Sequence, residues 1–419
     1  MKEKYDSYKD SGIEWIGEIP KHWDKVKMKF LGKIGSGDGL ESSLIDKNEG
    51  VFPVYGGNGI MGYYSKYNFN KPILVIGRVG EKCGNVHYSD KEVYVNDNSL
   101  VFDSYDDRMD LWFVYHSLVQ RDLNQLRNKN TQPLITGTIV KDESIPCPPI
   151  NEQQQIVQFL DTKTYLIDSL IKKTKKKIKL LKEQRTSLIN KIVTKGLNPN
   201  IELKDSGVEW IGEIPSHWEN RNGSTIGLYS KGKGIKKDEV KEVGNLCIRY
   251  GEIYTKYNHL IKEINTFIDD NTIETSVSIN SDSLLLTGSG ETKEEIGKCV
   301  VYTGSDTIWI GGDIIILKPN NNVNSVFLSY LINSECIRVQ REMNGKGEII
   351  VHIYSKNFKE MRYPIPPLNE QKQIVDYLDK KTNLIDSTIS IEEKRIETLK
   401  EYRQSLISEV VTGKIKVTN

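Results

Sequence analysis

No alanine occurs anywhere in the chain, and lysine far outnumbers arginine, a bias that points to an AT-rich genome rather than to a function. Cysteine is scarce. The five residues at 83, 147, 247, 299 and 336 form no C-x-x-C pair, which excludes a common zinc site and a disulfide framework. No apolar run approaches the ~18–20 residues of a membrane span, so no membrane partner is expected. An excess of charge is missing too: Lys and Arg number 58 against 57 Asp and Glu, a net +1. No whole-chain field therefore advertises nucleic acid or an anionic surface. The opening residues Met1-Lys2-Glu3-Lys4-Tyr5 are charged and carry no apolar core, which argues against secretion and predicts a cytoplasmic protein. The 419 residues leave room for two or three domains.

Catalytic motifs are equally absent. The segment Gly227 to Gly234 approaches a phosphate-binding loop, but Gly234 stands where a metal-binding Ser or Thr is needed, so a flexible basic turn is expected there. Gly35 to Gly39 and Gly288 to Gly290 lack the third glycine of a dinucleotide fingerprint. The pairs Pro148-Pro149 and Pro366-Pro367 are preceded by Cys147 and Ile365 and followed by Ile150 and Leu368. They therefore do not form the Asn/Asp-Pro-Pro-Tyr/Phe motif with which amino-methyltransferases hold a target base. Neither H-E-x-x-H nor G-x-S-x-G occurs, and the histidines at 22, 87, 116, 217, 259 and 352 show no ligand spacing. On this reading the chain is not an enzyme.

What the chain does have is internal repetition. Asp10 to Trp23, with Gly12, Trp15, Gly17, Pro20 and His22 among its residues, recurs as Asp205 to Trp218 with only Ile13/Val208 and Lys21/Ser216 different, a displacement of 195. Pro148-Pro149-Ile150-Asn151-Glu152-Gln153 returns as Pro366-Pro367-Leu368-Asn369-Glu370-Gln371, displaced by 218, and 14 of 20 positions are identical between 151–170 and 369–388. The order is front, middle, tail, twice. The middles diverge, and the second is longer, 145 residues (219–363) against 122 (24–145). His22 and His217 recur inside Ile-Pro-x-His-Trp, but no carboxylate outside that motif is taken to recur with them. The expectation is a structural corner, with Trp15, Trp23, Trp210 and Trp218 as buried anchors whose polar tips are satisfied.

Both tails read as long helices. Ile156, Leu160, Ile167, Ile171, Ile178, Leu181, Leu188 and Ile192 lie on one alternation of fours and threes, interrupted at Lys163, Thr174 and Arg185. Ile374, Leu378, Ile385, Ile389, Ile396, Leu399, Leu406 and Val410 repeat it, interrupted at Lys381, Glu392 and Arg403. A 3.5-residue apolar period is a coiled-coil seam, and matching interruptions predict that the helices pair with each other, antiparallel. At ~1.5 Å per residue each would be a rod of roughly 66 Å holding two globular bodies apart. Residues 163–195 hold 11 Lys/Arg and 2 Asp/Glu, whereas 381–413 hold 5 and 6. The Lys172 to Lys179 cluster is read first as a solvated face and second as a phosphate contact. The middles read as compact α+β units, with strands at 73–76, 93–95 and 100–102 and at 284–286, 308–310 and 314–317, and helical stretches at 108–127 and 324–342.

These duplicated motifs, Asp-Ser-Gly-x-Glu-Trp-Ile-Gly-Glu-Ile-Pro-x-His-Trp and Pro-Pro-[Ile/Leu]-Asn-Glu-Gln-x-Gln-Ile-Val before a long helix, resemble the specificity subunit of type I restriction–modification systems along essentially the full chain. The resemblance implies an α+β protein with two globular target recognition domains separated by two long antiparallel helices in a coiled coil, an internal pseudo-two-fold repeat. It implies domains at 1–150 and 199–368 and spacer helices at 151–198 and 369–419. It implies a subunit that reads a bipartite, asymmetric sequence in double-stranded DNA. The implied partners are two modification (methyltransferase) subunits and restriction (motor-nuclease) subunits. This chain would bind no cofactor, S-adenosylmethionine and ATP/Mg being carried by those partners. Weak affinity for DNA by the chain alone is expected, since the partners can clamp the duplex. A structural coiled-coil scaffold binding only proteins is the alternative; a fused methyltransferase–nuclease would need catalytic motifs that the sequence lacks.

Base edges are best met by Arg or Lys at guanine and Asn or Gln at adenine, from exposed loops. The candidates in the first middle are Tyr55, Asn58, Arg78, Lys82, Asn85, Thr131 and Gln132, on glycine-rich or turn segments. In the second they are Arg249, Tyr250, Ser289, Thr292, Lys293 and Lys346.

Overall fold

The computed structural model describes residues 3–105, 109–128 and 133–417. The chain forms two compact units, one of residues 1–175 with 393–419 and the other of residues 176–392. Each contains a globular head and parts of both long helices.

In the first unit the run Ile73–Gly77 is wholly buried, as an apolar β run at a sheet centre should be. It lies in a four-stranded antiparallel sheet ordered Gly32–Ser36, Ser99–Ser104, Ile73–Gly77, Val86–Ser89. A second, three-stranded sheet holds Gly59–Tyr64, Phe52–Gly56 and Tyr94–Val95. Helix α1 (Leu111–Arg121) starts where Asp110 Oδ1 accepts from the amides of Trp112 and Phe113 at 2.9 and 3.2 Å, an N-cap. Helix α2 (Gly137–Asp142) leads through the strand Ser144–Cys147 to α3 (Ile150–Lys195).

The second head repeats this plan with additions. Its first sheet runs Gly227–Lys231, Ile314–Pro319, Ser283–Thr287, Cys299–Tyr302 and Leu260–Ile261, and a second five-stranded sheet centres on Asn245–Ile248. Gly227–Lys231 is thus a paired strand rather than the flexible turn expected, which removes any phosphate-loop geometry there. The helices are α4 (Tyr250–Thr255), α5 (Asp270–Ile273), α6 (Ser325–Ile332), α7 (Glu335–Asn344) and α8 (Ser355–Glu360), followed by α9 (Leu368–Val411).

Both long helices begin after a Pro-Pro pair. The amides of Glu152 and Gln153 bond to the Pro149 carbonyl and those of Glu370 and Gln371 to the Pro367 carbonyl, so proline opens each helix without losing a needed donor. Glycine ends α3: Gly196 sits at φ +73° just past its last residue.

The seam is more regular than the sequence count implied. Positions 160, 164, 167, 171, 174, 178, 181, 185, 188 and 192 are all buried or half-buried, an unbroken alternation of fours and threes, and the positions 218 later in α9 behave alike. Thr164 and Thr382, 8% and 2% exposed, occupy the place assigned to Lys163 and Lys381, which are exposed. The physical reason is local. Thr164 and Thr382 give their hydroxyl protons back to the carbonyls of Asp161 and Leu378, so they bring no unpaired donor into the seam, whereas a lysine would bring a charge.

In the first unit α3 packs against the C-terminal half of α9. Ile156, Leu160 and Ile167 share a core with Leu406, Ile407 and Val410, and Asp168 pairs with Arg403 at 3.1 Å. In the second unit Lys177 pairs with Glu392 and Arg185 with Asp386, at 2.6 and 2.8 Å, so the helices run antiparallel there. The pairs Arg185–Asp386 and Arg403–Asp168 are copies, each residue 218 from its counterpart. Neither arginine Nε makes an aligned hydrogen bond; the contacts are ion pairs. The side chains of Lys172, Lys173, Lys175, Lys176 and Lys179 are exposed.

His116 on α1 is buried against Trp112. Burial, with a smaller contribution from Arg403, lowers its pKa from 6.5 to about 4. The folded state therefore holds it neutral while the unfolded chain protonates it. This contribution is complete above pH ~6.5 and lost as pH falls toward 4, on the order of 2–3 kcal/mol. Urea midpoints measured at pH 7 and 4.5 are expected to fall less for His116→Gln than for the parent.

Candidate nucleic-acid interface

Each head is joined to its long helix by the two repeated motifs acting on each other. His22 Nε2 lies 2.9 Å from Glu152 Oε2, and His217 Nε2 lies 2.7 Å from Glu370 Oε2. The recurring carboxylate judged missing is therefore present; it comes from the Asn-Glu-Gln motif, 130 residues further on in the first copy. Tyr5 adds a hydroxyl to Glu152. Trp23 and Trp218 are fully buried, as expected, but Trp15 is half-buried and Trp210 is 37% exposed. The indole Nε1 atoms of Trp15, Trp23 and Trp218 have no hydrogen-bond partner among the described residues, so those polar tips are not satisfied as expected. These indoles serve by filling volume.

The next residue of the motif makes the second joint. Gln153 Oε1 accepts from the amide of Asp110, the N-cap of α1, at 2.8 Å, and its Nε2 donates to the Pro148 carbonyl at 2.8 Å. Gln371 does the same in the second unit, accepting from Asn324, the N-cap of α6, at 2.7 Å and donating to Pro366 at 2.8 Å. Both glutamines are fully buried.

In the first head two glycine-bearing loops meet backbone to backbone. A Cβ on Gly77 would lie 2.1 Å from the Gly57 carbonyl oxygen, so this approach requires glycine. The contact brings Asn58, Arg78, Lys82 and Asn85 to one region. Asn58 Oδ1 accepts from Asn85, whose own Oδ1 accepts from Asn124, each at 3.2 Å. Arg78 Nη1 donates to Ser36 Oγ and the Asp97 carbonyl, leaving other donors of its fork. Asn58 and Lys82, with Gly57, Gly80 and Asn98, line an open cavity of about 520 Å³. Tyr55 is not on a loop: it lies in the strand Phe52–Gly56, half-buried beside His87, and burial raises its phenol pKa. Thr131 and Gln132 lie outside the described residues.

In the second head Arg249 and Tyr250 open α4, and Tyr250 is 44% exposed. Arg249 Nε is buried without a hydrogen-bond partner among the described residues. Ser289 is 7% exposed, so it is no loop-surface donor; its Oγ lies 3.0 Å from His352 Nδ1. Tyr254 on α4 donates to the Ser289 carbonyl at 3.0 Å and ties these elements together. Thr292 accepts from the Glu295 amide and closes a turn, while Lys293 and Lys346 are exposed.

Sequence reasoning missed Arg341 and His352. Arg341 is 4% exposed, donates to the Ile296 carbonyl at 2.7 Å, and burial lowers its pKa to about 10. It supports the 288–296 loop from beneath. Its position within the apolar helical stretch 324–342 was the available signal. Among the described residues no group of three His, Cys, Asp or Glu could hold a metal ion, and no helix is long and apolar enough to cross a membrane.

The family profile described as the type I restriction modification DNA specificity domain matches residues 20–180 and 215–401. The class is thus a DNA specificity protein. The chain belongs to the type I restriction–modification specificity-subunit family. It is 24% identical to the type I restriction enzyme MjaVIII specificity subunit of Methanocaldococcus jannaschii, over 96% of this chain and 95% of that protein. It is 21% identical to the EcoBI specificity subunit of Escherichia coli, over 97% and 89%. A chain solved to explain complex assembly and conformational transition of a type I R-M system shares the fold, with a TM-score of 0.70 at 13% identity over 94% of this chain and 98% of that one. The HsdS subunit of Thermoanaerobacter tengcongensis aligns with a TM-score of 0.55 at 14% identity, over 95% and 98%.

Replacing Gln371 with Ala strands the Asn324 amide and the Pro366 carbonyl in the core. Chemical denaturation is expected to show a loss of about 1–3 kcal/mol for each group left unpaired.

Proposed function

We propose that this chain is the non-catalytic DNA-reading subunit of a type I restriction–modification complex, each head recognising one half of a bipartite, asymmetric duplex target. One observation carries the reading. The joints are the same in both units, His–Glu, Gln–N-cap and Arg–Asp, while the loops they present differ in length, charge and hydrogen bonding. Like frames dock like partners, which supports binding of two methyltransferase subunits, with restriction subunits joining for cleavage. Unlike loops on a fixed scaffold read unlike ligands.

In this reading S-adenosylmethionine and ATP/Mg are held by the partner subunits, and the residues of this chain position the duplex. In the first head Arg78 and Lys82 offer donors to guanine, and Asn58 and Asn85 offer paired donors and acceptors to adenine. In the second, Thr292 and Lys293 lie on the 288–296 loop, Lys346 lies on the hairpin paired with it, and Arg249 and Tyr250 open α4, which Tyr254 ties to it, with Ser289 acting through His352. Thr131 and Gln132 stay assigned to the first half-site.

Two measurements test it. Four residues inserted within 160–190 are expected to lengthen the unread gap in the methylated motif of the host genome without altering either half-site. Altered half-sites with an unaltered gap would refute the reading, and so would an absence of sequence-dependent protection, which favours a scaffold that binds only proteins. Arg78→Ala is expected to cost about 1–3 kcal/mol at one base pair of one half-site; a uniform loss across sequences would mark a phosphate contact instead.

A further inference from the structure

The second head carries a hairpin whose two base residues have paired counterparts in the first head. In the second unit the Lys346 amide bonds to the His352 carbonyl at 3.0 Å and the His352 amide to the Lys346 carbonyl at 2.8 Å, and Val351–His352 pairs with Ser289–Gly290. In the first unit Asn128 bonds to Leu134, and Leu134 pairs with Val79 in the loop that carries Arg78. Asn128 and Lys346, and Leu134 and His352, stand 218 residues apart, the displacement of the tails. By that displacement Ile349 and Ile350 are the sequence counterparts of Thr131 and Gln132. A polar pair in one copy thus corresponds to an apolar pair in the other.

That apolar pair does no packing work. Ile349 is 88% exposed and Ile350 55% exposed, at the tip of a ribbon turned by Gly347 at φ +118°. The isoleucines stand between exposed Lys346 and exposed Tyr354, with Glu348 alongside. Leaving two isoleucines in water costs free energy that a bound surface would recover. A two-stranded ribbon fits the major groove of B-DNA, where the one apolar group on a base edge is the thymine methyl.

Building on the function proposed above, we propose that Ile349 and Ile350 are specificity-determining residues of the second head that contact thymine 5-methyl groups in its half-site. The first head reads the corresponding position through hydrogen bonds. Val351 and His352 hold the ribbon on Ser289–Gly290 of the 288–296 loop, and Lys346 closes the ribbon on His352, so the tip acts with that loop as one reading surface.

Deoxyuridine tests this, because it removes the methyl group and leaves the pairing edge unchanged. Synthetic duplexes carrying the full target, with each thymine replaced in turn, are methylated by the complete complex of this chain with its methyltransferase subunits. At one or two thymines of the second half-site, replacement should slow methylation roughly fourfold, the equivalent of one buried methyl group at about 0.8 kcal/mol. The Ile349→Ser/Ile350→Ser double variant should lose that sensitivity, Ile349→Val should keep it, and discrimination at the first half-site should be unchanged, which also reports folding. Equal sensitivity in the double variant and the parent overturns the proposal, as does a second half-site without thymine or indifferent to its methyl groups. Loss of assembly with the methyltransferase subunits in the double variant would assign the tip to a protein contact and overturn it as well. Absence of sequence dependence at both half-sites would instead sink the functional reading on which it rests.

Discussion

The buried amides of Gln153 and Gln371 each hold the first backbone N–H of a head helix and the proline carbonyl before a long helix. Because a lost partner would leave polar groups stranded in a dry core, this joint has one geometry and little tolerance. Its neighbour in sequence, Glu152 or Glu370, reaches the histidine of the front motif, so two adjacent side chains fix both the start of the head and one of its helices, α1 or α6. Everything variable in the molecule is hung from these points. Divergence in the middles can then change what is presented without changing how it is held.

The architecture was largely written in the repeats. Pro-Pro marked the starts of both long helices, and the 3.5-residue period marked their pairing. What misled was the choice of Lys163 over Thr164 for one seam position. Counting apolar residues skips both, and only the hydroxyl's return bond to its own helix makes threonine the better occupant. The histidine partner was overlooked for another reason: Glu152 and Glu370 do recur, in the second repeated motif, but the sequence does not show that the two motifs meet. Arg341 drew no reading: its place in the apolar stretch 324–342 hints at burial, but the loop carbonyl it serves, that of Ile296, is 45 residues away in sequence.

The convergence of the candidate residues was legible in part. Loop glycines marked segments that meet in the first head, and the close contact of Gly57 with Gly77 explains why Asn58 and Arg78 converge. Residue chemistry alone could not separate Tyr55, drawn into a strand, from its loop neighbours, nor foresee that Ser289 would be spent on His352. A search confined to polar side chains also passed over Ile349 and Ile350, whose exposure is evident only once the hairpin has formed.

The polar residues along the helix seam have a further consequence. An all-leucine interface between two long helices is degenerate, since sliding by a heptad restores nearly the same contacts. Arg185 with Asp386 and Arg403 with Asp168 remove that degeneracy, because a slipped alignment would leave each guanidinium facing hydrocarbon. Cohesion is given up at those levels in return for a single permitted alignment.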